Sequence, residues 1–143
     1  MQENEPIVYK EIGNFEIFQG HIGKGQFGLV YKGRFKDNPG KFVAVKQINL
    51  RNLSQTEKER VSAESAVWQK LKHANLVENY DIQSDPESEN LYFIMEYCNG
   101  GELGRYMKKK KDEGLVTEKL AIDLFYQILL GYRELAKVKA IHR

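Results

Sequence analysis

Residues 22–30 read Ile22-Gly23-Lys24-Gly25-Gln26-Phe27-Gly28-Leu29-Val30, and sixteen residues beyond Val30 the run Val43-Ala44-Val45-Lys46 closes on a lysine. Gly23, Gly25 and Gly28 make a G-x-G-x-x-G, a spacing that recurs by chance and decides nothing without its flanks. Both flanks read as strand: residues 15–22 alternate, and residues 29–35 are rich in β-branched and aromatic side chains. A dinucleotide-binding turn needs a helix opening on the glycines, and a Walker loop needs a following G-K-[ST]; neither is present. The stretch is therefore a glycine loop at the tip of an antiparallel hairpin. Without Cβ atoms its backbone can approach a phosphate and aim N–H groups at the oxygens, with Phe27 as a cap on the loop. A bulged, glycine-rich turn without a ligand is the plain alternative.

Outward from the hairpin, Asn38-Pro39-Gly40 signals a turn, and residues 42–48 read as a third strand on which Ala44 and Lys46 share a face. A lysine within an apolar strand must snorkel or meet an anion. With Ile22 and Val30 from the hairpin, Ala44 lines a flat apolar slot under the glycine loop, a shape that suits a purine ring. Ser54-Gln55-Thr56-Glu57 is a capping box, opening a helix expected to run to about Lys72. Val61, Glu64, Val67, Trp68 and Leu71 form its stripe, and Glu64 is the lone acid there. Such an acid implies a cationic partner, for which Lys46 is available; a stripe-edge residue reaching solvent is the alternative. Residues 76–82 and 91–95 read as two further strands around a polar loop, giving five antiparallel strands and one helix in an α+β fold.

The remaining chain holds the connector 96–103 with its double glycine, a short helix ending before Gly114, and a helix capped by Thr117. On the last helix Leu120, Leu124, Ile128 and Leu135 recur with helical spacing. The 143 residues are 41% hydrophobic and 29% charged, the composition of a small globular domain. A net charge of +2 supplies no field for nucleic acid, and Lys108–Lys111 reads as a solvated helix end. Cys98 is the one cysteine, so no intrachain disulfide forms, and the polar start lacks a signal-peptide core; both fit a cytoplasmic setting. No apolar run reaches the ~20 residues a membrane span needs. His73 lacks a second His or Cys at ligand spacing and reads as a turn residue.

Taken together, the glycine loop, Val43-Ala44-Val45-Lys46, an acid in the following helix, Met95-Glu96-Tyr97-Cys98-Asn99-Gly100-Gly101-Glu102-Leu103 and the terminal Ile141-His142-Arg143 resemble a eukaryotic protein kinase over about residues 15–143. Within that family, Val45-Lys46-Gln47-Ile48-Asn49, Asn52-Leu53-Ser54 and the 95–101 run resemble the autophagy-initiating, ULK-type serine/threonine group. The resemblance implies a flexible lead-in at 1–10, a kinase N-lobe with its hinge at 11–98, and the start of a helical C-lobe at 99–143. It further implies that Gly23, Gly25 and Gly28 cover ATP phosphates, that Lys46 holds the α- and β-phosphates, and that Glu64 orients Lys46. Met95 becomes the gatekeeper beside the adenine, Glu96 and Cys98 read its edge through their main chain, and Glu102 lies near the ribose. Ile22, Val30 and Ala44 sandwich the base.

The family's catalytic aspartate and its two metal ligands follow the His-Arg pair, so the 143 residues alone are expected not to transfer phosphate, with Mg2+ expected only in a full-length kinase. A fragment of a longer kinase acting on a protein substrate is one reading; a short form or pseudokinase that binds nucleotide or a partner is another, and a β-rich look-alike is a third. A regulatory protein on the helix face is an expected partner. The uncovered stripe of the last helix is expected to be exposed. Two positions depart from the family pattern: Trp68 replaces an aliphatic four residues after Glu64, and Asn79 replaces an aliphatic on the fourth strand. One expectation is that the Trp68 indole donates to the Asn79 side chain; the other is that Asn79 faces water through a local bulge.

Overall fold

Val43 and Val45 alternate with Ala44 and Lys46, and that period of two puts the valines in one core while the lysine's face meets a helix. The computed structural model describes residues 5–25 and 28–138. Its strands are β1 (Val8–Ile12), β2 (Phe15–Lys24), β3 (Gly28–Phe35), β4 (Phe42–Asn49), β5 (Asn79–Asp85) and β6 (Asn90–Glu96). The helices are α1 (Gln55–Trp68), α2 (Leu103–Asp112) and α3 (Glu118–Lys137). All strand pairs are antiparallel, in the order β1-β2-β3-β4-β6-β5.

The sheet has six strands rather than five. β1 begins within residues 1–10, expected to be a loose lead-in, and pairs with β2, Val8 opposite Phe18 and Lys10 opposite Ile17. Its apolar side chains Val8 and Tyr9 are exposed, so the period-two signal of a half-buried strand is weak there. The two edge strands meet: Lys10 on β1 forms an ion pair with Asp85 on β5, and its ammonium lies 5.3 Å from the Tyr92 ring centroid. The sheet thus curls around Phe15, Ile17, Val43, Val45, Tyr92 and Ile94, all buried. On its other face Ile48 and Phe93 pack with Val61 of α1. β2 is irregular, with register shifts between Ile17 and Gly23 and a positive φ of 88° at Gly20. Strict alternation along β2 is therefore broken, and the neighbours Ile17 and Phe18 are both buried.

Ser54 caps α1 as expected: its hydroxyl accepts from the Glu57 N–H at 3.3 Å, and the Glu57 carboxylate accepts from the Ser54 N–H at 2.8 Å. The Ser54 hydroxyl also donates to that carboxylate at 2.7 Å, and this bond first, then the one from the Ser54 N–H, holds the Glu57 carboxyl below its ordinary value. The helix stops at Trp68 instead of near Lys72. The Gln69 N–H is shared between the Ser65 and Val67 carbonyls, and Lys70 N–H donates to Val67, a tightened last turn. His73 takes the turn role read for it, its Nδ1 accepting from the Asn75 N–H at 3.1 Å.

The chain divides into two compact units, Met1–Lys70 with Glu78–Tyr97, and Leu71–Val77 with Cys98–Arg143. In the second, Thr117 caps α3 by accepting from the Leu120 N–H at 3.1 Å. Gly131 lets the 71–77 segment approach that helix: an added Cβ would sit 2.7 Å from the Asn75 carbonyl oxygen. Consequently Leu120, Leu124 and Leu135 of the expected stripe are half-buried and only Ile128 is exposed. The exposed apolar face is a neighbouring one, formed by Ile122, Phe125, Tyr126, Leu129 and Tyr132. No helix among the described residues is long and apolar enough to cross a membrane.

Candidate nucleotide site

Residues directly opposite one another in an antiparallel ladder project from the same face. Two cross-strand rows therefore run side by side on the α1 face. One takes Phe93, Lys46, Val30 and Gly23; the other takes Asn79, Met95, Ala44 and Lys32. The registers bring Val30, Ala44, Lys46 and Met95 together as four neighbouring positions, and all four are half-buried.

Above them lies the glycine hairpin. Gly25 N–H donates to the Gly28 carbonyl at 2.8 Å, which closes the loop. An added Cβ at Gly25 would lie 3.8 Å from that carbonyl oxygen and 3.9 Å from Cε of Lys46. The lysine side chain thus runs beneath the loop, and the bare Cα of Gly25 faces the space between them. Gly28 is glycine for a different reason: a Cβ there would fall 1.8 Å from the Gln47 carbonyl oxygen on β4. Gly33, which the motif does not include, is held similarly, its Cβ position 2.4 Å from the Glu16 carbonyl oxygen. Gly23 has ordinary room, 3.7 Å to Val30 Cβ. Phe27, expected to cap the loop, lies outside the described residues.

Not every expected neighbour is brought in. Glu64 is exposed on α1, and no ion pair joins it to Lys46 among the described residues. Only Val61 of the expected stripe is fully buried; Val67 and Trp68 are half-buried, and Leu71 follows the helix. Ile22 is 53% exposed and lines a recess of about 380 Å3 with Phe18, Gly20, Lys32, Arg34 and Phe42. That recess includes none of Val30, Ala44, Lys46 or Met95. Its cations sit on its rings, Lys32 Nζ 4.0 Å from the Phe42 centroid and the Arg34 guanidinium 5.6 Å from that of Phe18. Glu96 ends β6, its N–H donating to the Glu78 carbonyl at 2.9 Å and its carboxylate accepting from the Glu78 N–H at 3.3 Å. Cys98 and Glu102 belong to the second unit; both are exposed, and Glu102 is the N-cap residue of α2.

The expected bond between Trp68 and Asn79 is not formed. Trp68 instead meets Phe93 edge-on, with ring centroids 5.7 Å apart and planes at 82°. Two carbonyls face one end of the Asn79 amide, and assigning the nitrogen to that end lets it donate to Asp81 O at 3.2 Å and Ile94 O at 3.1 Å. A register shift lies between Asn79 and Asp81, as the bulge alternative held, but the side chain is half-buried against those carbonyls rather than facing water.

A curled antiparallel sheet with a helix against one face and a glycine hairpin between β2 and β3 define a protein-kinase-like N-lobe. The comparisons agree: the model of the protein kinase domain matches residues 17–143, and the chain belongs to the protein kinase family. A probable serine/threonine-protein kinase nek2 of Dictyostelium discoideum is 38% identical over 122 residues, covering 85% of this chain and 29% of that protein. The human serine/threonine-protein kinase ULK1 is 37% identical over 134 residues, 92% of this chain and 12% of the relative. The Arabidopsis thaliana serine/threonine-protein kinase ATG1b is 32% identical over 132 residues, 92% of this chain and 18% of the relative. The chain thus spans between 12% and 29% of these relatives' lengths.

Proposed function

We propose that this chain is the ATP-binding portion of a serine/threonine protein kinase, contributing to phosphoryl transfer from ATP to protein hydroxyls. The observation that carries the proposal is Lys46 running beneath the glycine hairpin, on the same face as Val30, Ala44 and Met95. The lysine ammonium binds phosphate oxygens, which the bare glycine backbone lets approach the loop, and the apolar side chains accept the adenine, with Ile22 closing over it. The Glu96 and Cys98 main chains reading the adenine edge, and Glu102 near the ribose, are proposed from the family pattern. So are the division at residues 98–99 and the cytoplasmic setting.

Glu64 enters as the residue that orients Lys46 when α1 takes a different position from the one seen. A regulatory protein on the exposed side of α1 is the partner that would select that position, by binding it more tightly than the other. Among the described residues no cluster of three His, Cys, Asp or Glu side chains is placed to hold a metal. Mg2+ belongs in this proposal to the full-length kinase, where it neutralises phosphate charge.

A polypeptide of these 143 residues alone is expected to bind ATP and not to transfer its phosphate. Calorimetric titration with ATP, beside a radiolabel transfer assay on a generic protein substrate, tests both parts. Replacing Lys46 by Met should lower ATP affinity about tenfold or more, the equivalent of one hydrogen bond to a charged group. Equal affinity in wild type and K46M would overturn the assignment of Lys46. A pseudokinase or partner-binding module would share the slot, so a longer form of the chain that still fails to transfer phosphate would favour that reading.

A further inference from the structure

The bulge between Asn79 and Asp81 interrupts the β5–β6 ladder at the end of β6 nearest the candidate slot. With its amide assigned so that the nitrogen faces them, Asn79 donates to two carbonyls there, Asp81 O on its own strand at 3.2 Å and Ile94 O on β6 at 3.1 Å. It does so from the position directly opposite Met95, in the cross-strand row that continues through Ala44. The same bulge admits Tyr80 to the opposite face, where its ring meets Phe35 edge-on at 5.4 Å and packs against the buried core. One side chain therefore bridges two strands at the point where β6 presents Met95.

We propose that Asn79 is a positioning residue for the nucleotide slot: by tying Ile94 O to the β5 bulge it fixes where Met95 stands, and so sets how large a purine substituent the back of the slot accepts. This rests on the slot reading given above. An aliphatic side chain at 79 could fill space against Met95 but could not satisfy the two carbonyls, and the β6 end would have to find another register or take up water. Trp68 is free for another task, and α1 is moored by its edge-on contact with Phe93.

The test compares wild type with Asn79→Asp, which keeps the size and loses the amide donor, Asn79→Leu, which keeps the branched shape and loses all polarity, and Asn79→Gln, which keeps a donor. Two readouts apply to each: the ratio of affinities for ATP and an N6-benzyl ATP, and the 13C-methyl NMR signal of Met95, assigned with Met95→Leu. The expected result is a ratio shifted toward the bulky analogue by about fivefold in the Asp and Leu variants. Their Met95 methyl should be shifted or broadened, and the Gln variant should lie between them and wild type. A ratio within twofold of wild type and an unmoved Met95 signal in both variants, whatever their melting temperatures, would overturn the proposal. Should wild type bind neither nucleotide, the slot reading fails on its own; the Met95 signal without nucleotide then still decides whether Asn79 positions that side chain. If only the Leu variant fails to fold, the isosteric Asp variant carries the decision.

Discussion

At the residue scale, the three glycines of the loop do different jobs. Gly28 is required by packing, since a Cβ would enter the Gln47 carbonyl, whereas Gly25 faces the space between its loop and Lys46. Gly28→Ala should therefore cost about 1–3 kcal/mol, the range for an overpacked site, read as a lowered denaturation midpoint. Gly25→Ala meets only ordinary contacts at 3.8 and 3.9 Å and should leave that midpoint nearly unchanged. Its methyl occupies the ground where phosphate oxygens would lie, and ATP affinity should fall about tenfold. A Gly25→Ala protein with wild-type affinity would mean that the loop does not cover phosphate. The glycine spacing was legible in the sequence, but this division of labour was not, because it depends on the register of β3 against β4. Spacing puts Glu64 in the α1 stripe and leaves open whether it meets a cation or reaches solvent; it is exposed, because helical period says which residues share a face and not how closely that face is covered.

At the element scale, the curl of the sheet is closed by its edges. Asp85 accepts from Lys10 and from the Ser88 hydroxyl, at 2.6 Å, and these bonds hold its carboxyl down at about 2. The same contact, before all other causes, raises Lys10 above its ordinary value. A carboxyl whose folded value is depressed contributes stability that is present above its ordinary value and is lost as pH falls through the folded one. Wild-type stability should thus decline from about pH 4 down to pH 2 partly on account of Asp85. Asp85→Asn should remove that part, giving a lower urea midpoint at neutral pH and a flatter decline in acid. Identical slopes in the two proteins would show that the edge contact contributes nothing. The β1 strand that supplies Lys10 was not anticipated. Its backbone bonds to β2 and the stack of Tyr9 on Tyr31, centroids 5.6 Å apart, hold it there, and neither leaves a periodic signature. By contrast β4, α2 and the caps of α1 and α3 were readable, because alternation, Gly114 and the capping residues act within a few residues of chain.

At the scale of the whole molecule, one unit carries the glycine hairpin, Lys46 and Met95, while the other carries Cys98, Glu102 and an α3 face of five exposed apolar side chains. A family match over residues 17–143 accounts for both units. The central claim is that ATP binds under the hairpin of the first unit, and the most direct measurement is an amide NMR titration of the full chain with ATP. The largest shifts should fall on Gly23, Gly25, Gly28, Val30, Ala44, Lys46 and Met95, and should be lost in the Lys46→Met protein. Shifts confined to the recess lined by Phe18, Arg34 and Phe42, or to α3, or no saturable shifts at all, would contradict it.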